Sequence, residues 1–317
     1  MSKFFSRVVG LIAVAAVCLV ASGCDAAEPA EQYEIAGGFR SGVYYSFAER
    51  LADAEQRELG IDISAAETQG SVENLQRVGA GDAILGFAQG DAALDAVRGE
   101  GDFTEPLPIR AVARLYDEYV HVVVPADSDI HEIADLAHRS LSLGADDSGV
   151  QLIAQRVLEA AGVDQSTIDD RTLGLDESLE AMRRGDIDGF FWVGGVPTPG
   201  IEELRQEVPL RLIPIDPEVV DAVNSIYSGA YRLTDFPIGF YELDGATATM
   251  AVPNYLIAAE DAPEELITDM LRVLFDARID ISKSVPAAGY LDRRQAIFTG
   301  EIELHPGAAT YYVESRR

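Results

Sequence analysis

The stretch YEIAGGFRSGVYYSFAERLADAEQRELG, Tyr33 to Gly60, carries the grammar of the fold. YEIAGG is a short apolar run of strand type. In the segment after it, Val43, Phe47 and Leu51 stand four apart, the period of an amphipathic helix. Between them GGFRSGVYY, Gly37 to Tyr45, gathers three glycines, an arginine, a serine and two tyrosines. In an open α/β sheet ligands bind where strands end and helices begin. The turn therefore reads either as a polar connection or as one wall of a cradle.

The same grammar recurs down the chain. IDISAAE is a strand, SVENLQRVGAG a helix, AILGFAQ a strand and DAALDAVRG a short helix. Such alternation predicts an α/β layered fold with a largely parallel sheet. A second cycle follows the linker GEGDFTEPLP. RAVARLY, HVVVPA and SLSLGA are strand-like, VQLIAQRVLEAAG is a strong amphipathic helix, and IDGFFWVGG is a buried strand. The run ATATMAVPNYLIAAE and the helix APEELITDMLRVLFDARID then return to the first unit. The expectation is a two-lobed clamshell with a ligand cleft, built as two α/β units and not as one sheet. Lobe 1 takes residues 33–120, lobe 2 takes 121–240, and 241–317 return to lobe 1. Chain crossings are expected near 119–124 and 236–246.

The N-terminus addresses the compartment. Lys3 and Arg7 precede an apolar run that ends at Ala21-Ser22-Gly23-Cys24, the layout of a secretory signal peptide. The run is short for a membrane span of about 20 residues. Residues 1–23 read as a lipoprotein signal peptide, Cys24 as the lipid-bearing first mature residue, and 24–32 as a tether; the expected location is extracytoplasmic, anchored to the membrane. With Cys18 removed and Cys24 lipidated, no cysteine is left for a disulfide or a thiolate metal site. The four histidines show no HxxxH or HExxH spacing, so no metal is expected.

Charge narrows the partners. The chain has 54 acidic and 24 basic residues, a formal −30, and its only lysines are Lys3 and Lys283. Nucleic acid is a poor partner for such a surface. The chain is 48% apolar, too apolar for disorder. Its acidity reads as adaptation to salt, which screens self-repulsion within about 3 Å at 1 M.

Four helix starts offer the free N–H groups and positive dipole end that suit an anion. They are Gly38-Phe39-Arg40-Ser41-Gly42, Thr68-Gln69-Gly70-Ser71, Asp146-Asp147-Ser148-Gly149, and Gly194-Gly195-Val196-Pro197-Thr198-Pro199. Ser41, Ser71 and Ser148 stand where N-caps are expected, and each alone is an ordinary cap. Coming from two lobes, they gain meaning as the walls of one cleft. Arg40 adds a planar cation suited to a carboxylate, unless an acidic neighbour occupies it. Gln89 and Asp91 flank a strand end, and Trp192 reads as core. There is no GxSxG elbow, no dinucleotide loop and no P-loop, so neither catalysis nor a cofactor is expected.

Several motifs stand in a definite order. Gly42-Val43-Tyr44-Tyr45 fits Gly-x-Tyr-Tyr; Thr68, Gly70, Ser71 and Asn74 fit Thr-x-Gly-Ser-x-x-Asn; Gly86, Phe87, Gln89 and Asp91 fit Gly-Phe-x-Gln-x-Asp. The loop Leu143–Val150 and the segment Gly185–Ile201 follow. In these the chain resembles the TAXI-type solute-binding subunits of TRAP transporters. The resemblance implies a clamshell that captures a small anionic or zwitterionic organic solute and passes it to a fused TRAP permease. It places Gly42, Tyr44, Ser71, Gln89 and Gly195–Pro197 at the cleft; Ser148 and Gly149 lie in the matching second-lobe loop. The chain departs from the family in carrying Phe39 and Arg40 in the first turn and Asp146 and Asp147 before Ser148. A glutamate-like amino acid would use both departures, a dicarboxylate or 2-oxo acid only the first. A co-receptor of the same fold feeding a membrane sensor is the alternative.

Overall fold

The computed structural model describes residues 32–227, 230–241 and 246–315. The expected signal peptide, Cys24 and all of the expected tether but Gln32 lie outside the described residues. Ten strands form one mixed sheet: β1 (Gln32–Gly38), β2 (Asp62–Glu67), β3 (Leu85–Gln89), β4 (Ile109–Pro125), β5 (Ser140–Ser142), β6 (Asp169–Asp170), β7 (Gly189–Gly194), β8 (Leu210–Leu212), β9 (Arg232–Asp235) and β10 (Ala248–Ala259). Their order is β2-β1-β3-β10-β4-β7-β5-β6, with β8 on β4 and β9 on β10.

This corrects the expectation of two separate sheets. The ends are parallel, β1 with β2 and β3, and β5 with β6 and β7. The middle is antiparallel, because β10 pairs with β3 and β4, and β4 with β7. β4 also differs from its prediction. The acids Asp117 and Glu118 interrupt the apolar run, so the sequence reads as two strands, yet the backbone continues as one strand of 17 residues. Glu118 keeps the parity of Tyr116 and Val120 and is buried with them, as the two-residue period of a strand requires.

Nine helices are described: α1 (Val43–Leu59), α2 (Ser71–Ala80), α3 (Gly90–Arg98), α4 (Gly149–Ala160), α5 (Leu175–Arg184), α6 (Pro199–Leu204), α7 (Pro217–Ile226), α8 (Glu264–Ser282) and α9 (Pro306–Glu314). α1 buries Val43, Phe47 and Leu51, the face its spacing predicts. Burying a ring such as Phe47 contributes roughly 1.5–3 kcal/mol. The helix stops at Gly60, whose φ of 68° is left-handed and whose N–H reaches back to the Gln56 carbonyl.

Two hydrophobic cores result. The first gathers Ile35, Phe47, Leu75, Phe87, Leu256 and Phe275. The second gathers Val122, Ile153, Leu179, Phe190, Ile201 and Val252. Core membership changes on β4 between Tyr116 and Val120, and on β10 between Val252 and Tyr255. The first change falls close to the expected crossing. The second lies further along the chain than residues 236–246, since Phe236, Met250 and Val252 still pack in the second core.

Candidate functional site

Helices α1, α2 and α4 begin where β1, β2 and β5 leave the sheet, and their starts meet between the cores. Only one of the three expected serine caps has that role. Ser148 accepts from the Gln151 N–H at 3.1 Å and donates to the Ala145 carbonyl at 2.6 Å. α1 is capped by Gly42 and α2 by Gly70, neither with a side-chain bond. Gly70 has φ 118°, a conformation that favours glycine, and it takes the cap position, so the helix begins one residue earlier than it would with Ser71 as the cap. Ser71 thus sits inside the first turn. Its Oγ accepts the Gln89 N–H at 3.1 Å and lies 3.5 Å from the Tyr44 hydroxyl. Ser41 precedes the Gly42 cap, and its Oγ has no hydrogen-bond partner.

The cavity between the cores is lined from both sides. Gly42, Tyr44, Gly70, Ser71 and Gln89 contribute from the first, and Gly149, Val150 and Trp192 from the second, with Phe39 and Glu118. Its volume is about 20 Å³, room for about one water molecule. The two sides are closed on each other. The Glu73 N–H reaches the Asp147 carbonyl at 3.2 Å, and the Phe39 and Trp192 rings meet edge-on at 6.5 Å. A Cβ added to Gly149 would lie 2.0 Å from Gln89 Oε1, so glycine is what allows this approach.

Other expected site residues build the walls. Thr68 donates to Asn74 Oδ1 at 2.5 Å, and the Asn74 amide donates to the carbonyls of Gly37 and Phe87 at 3.1 and 2.8 Å. Asn74 thereby ties the ends of β1 and β3 to α2. Asp91 lies on α3, accepting from Arg156 at 3.0 Å and from Tyr231 at 2.5 Å. Arg156 also bonds Asp95 and joins the cores away from the cavity. Gly195 and Val196 line a neighbouring cavity of about 530 Å³ with Arg114, Tyr116 and Arg232. The Val196–Pro197 peptide is cis.

Arg40 is placed elsewhere. Its Nε donates to Glu67 at 2.7 Å, a second nitrogen donates to the Tyr45 hydroxyl at 2.9 Å, and its guanidinium stacks over that ring. Its side chain is 63% exposed and does not line the cavity. Of the two tyrosines, Tyr45 therefore holds Arg40, and Tyr44 faces inward.

The sequence reading missed the charged residue of the cavity. Glu118 is fully buried, and Tyr44 donates to its Oε2 at 3.0 Å. Burial pushes its carboxyl up to about 8, against the pull of Tyr44, Gln89 and Tyr116. The Tyr44 hydroxyl in turn accepts from Asn254 at 2.7 Å. The signal is an acid at inward parity in an apolar strand, which in the sequence reads equally as a break between RAVARLY and HVVVPA. Trp192, read as core, does pack there, yet it also lines the cavity and donates to Thr198 Oγ1 at 3.0 Å.

Residues 35–315 match the NMT1-like family. The chain belongs to that family. Similar folds occur among solved structures. PhnD1 from Prochlorococcus marinus (MIT 9301), in complex with methylphosphonate, is 12% identical with a TM-score of 0.54, over 91% of this chain and 98% of that one. A periplasmic transporter is 16% identical with a TM-score of 0.52, over 92% and 94%. A protein of Bordetella bronchiseptica RB50 is 18% identical with a TM-score of 0.51, over 89% and 82%. The fold is the two-lobed α/β clamshell of periplasmic binding proteins.

Proposed function

We propose that the chain is an extracytoplasmic solute receptor, lipid-anchored through Cys24, that delivers a small carboxylate-bearing solute to a TRAP permease. One observation carries the reading: the starts of α1, α2 and α4 converge on a cavity shared by two cores that are closed on each other. Hinge closure around a solute needs such a geometry, and no bond need be made or broken. The lobes are taken as 33–120 with the chain after Val252, and 121–252, since Met250 and Val252 pack in the second core. Among the described residues no arginine, lysine or histidine lines the cavity, so the carboxylate is assigned to helix N–H groups at Ser71 and Gly149–Val150. This favours a zwitterionic amino acid over a plain dicarboxylate.

The test is a thermal-shift screen of the purified protein with amino acids, 2-oxo acids, dicarboxylates and neutral sugars. A solute at a hundred times its dissociation constant stabilises the fold by about 2.7 kcal/mol. The expected result is a shift with an amino acid that survives Arg40→Ala, because Glu67 already engages Arg40. A screen in which no acid shifts the melt overturns the receptor reading.

A further inference from the structure

With Glu118 ionised, unpaired acceptors outnumber unpaired donors at the cavity. Glu118 Oε1 and Gln89 Oε1, and behind Tyr44 also Asn254 Oδ1, are buried without a hydrogen-bond partner, against the single unpaired hydroxyl of Tyr116. The three acceptor residues are at most 2% exposed. They form one cluster: Tyr44 bonds both Glu118 and Asn254, and Ser71 bonds the Gln89 backbone. Unpaired buried acceptors are costly, and a group that brings several N–H donors removes the cost. An ammonium carries three donors and the opposite charge to a carboxylate. A second carboxylate of the solute would bring acceptors to acceptors.

Resting on the receptor reading above, we propose that Glu118 is the specificity residue that binds the solute's amino group, with Gln89 Oε1 as a second acceptor for it. The solute's carboxylate then lies toward the starts of α2 and α4, and the Phe39 and Trp192 rings flank the remainder. The groups acting on the Glu118 charge are Tyr44 on α1, Tyr116 on β4, Gln89 at the end of β3, and the acid Asp91 on α3. Asp91 is itself engaged by Arg156. Without solute, the raised Glu118 carboxyl is largely protonated at neutral pH. An arriving ammonium favours the carboxylate, so the Glu118 proton leaves to solvent. Binding therefore releases nearly one proton per solute at pH 7.

The test uses calorimetry on the whole protein with matched pairs: glutamate and glutarate, alanine and propionate, valine and isovalerate. The expected result is binding of an amino acid, with its des-amino partner weaker by about a hundredfold, and a similar loss in Glu118→Gln. Heats measured in two buffers of different ionisation enthalpy report the proton, released by the natural protein and not by the variant. A circular dichroism melt of the variant shows whether it is folded, and Tyr44→Phe provides a second variant that weakens the same contact. If an acid and its amino partner bind equally and Glu118→Gln changes neither affinity nor proton release, Glu118 is not the amine site while the receptor reading stands. If nothing in the panel binds, both fall.

Discussion

Asp91 and Asp95 on α3 and Glu118 on β4 are all buried where the two cores meet, yet only the first two have a cation. Arg156 reaches across from α4 to both aspartates, bonds the Tyr231 hydroxyl at 3.0 Å and stacks over the Tyr227 ring at 4.5 Å. Glu118 has the Tyr44 hydroxyl on one oxygen, and its other oxygen makes no hydrogen bond, with the neutral Gln89 and Tyr116 side chains nearby. The first cluster finds its countercharge within the chain, although Asp91 Oδ1 and Arg156 Nε have no partner, and it links the two cores. The second is left short of donors, as a group meant for a visitor would be.

The sharpest way to break this contrast is Arg156→Met. It leaves two buried aspartates without their cation, and the expected loss of stability is about 3–5 kcal/mol, read from urea denaturation. A loss below 1 kcal/mol would mean that the cores are held by other contacts. Glu118→Gln should act in the opposite direction on the protein without solute. A carboxyl raised in the folded state costs nothing below pH 4.5, where both states are protonated; its cost grows as pH rises and is complete above about 8. The variant should therefore gain on the order of a few kcal/mol at pH 8 and nothing at pH 4, in paired melts across that range. Gly149→Ala is the smallest of the three. Its methyl would meet Gln89 Oε1, so closure is hindered while each core stays intact. Affinity should fall about tenfold, or ~1.4 kcal/mol, with X-ray scattering showing a wider particle and the melting temperature little changed.

Local patterns in the sequence were a sound guide to single elements. The helix α1 and its buried face follow from Val43, Phe47 and Leu51, and the stop at Gly60 from its lack of a side chain. Sheet order was not legible, because hydrogen-bond partners lie far apart in the chain: Glu118 faces Val252 across the β4–β10 ladder. The helix starts at Ser71 and Ser148 were legible as turns, though only the backbone angle at Gly70 shows which serine is a cap. Arg40 was the natural cation for a cleft, but its side chain is long enough to turn outward to Glu67. Glu118 went unseen for a different reason, since in so acidic a chain one more acid carries no signal until its depth is known.

The ladder between β4 and β10 runs from the Tyr119–Ala251 pair to the Ile109–Ala259 pair and spans the change of core. Sliding one core past the other would tear these bonds, whereas bending the pair of strands across their length leaves them in register. If the chain is the receptor proposed above, the ladder favours bending over sliding, and a partner on the outer surface could tell a closed cleft from an open one without touching the solute.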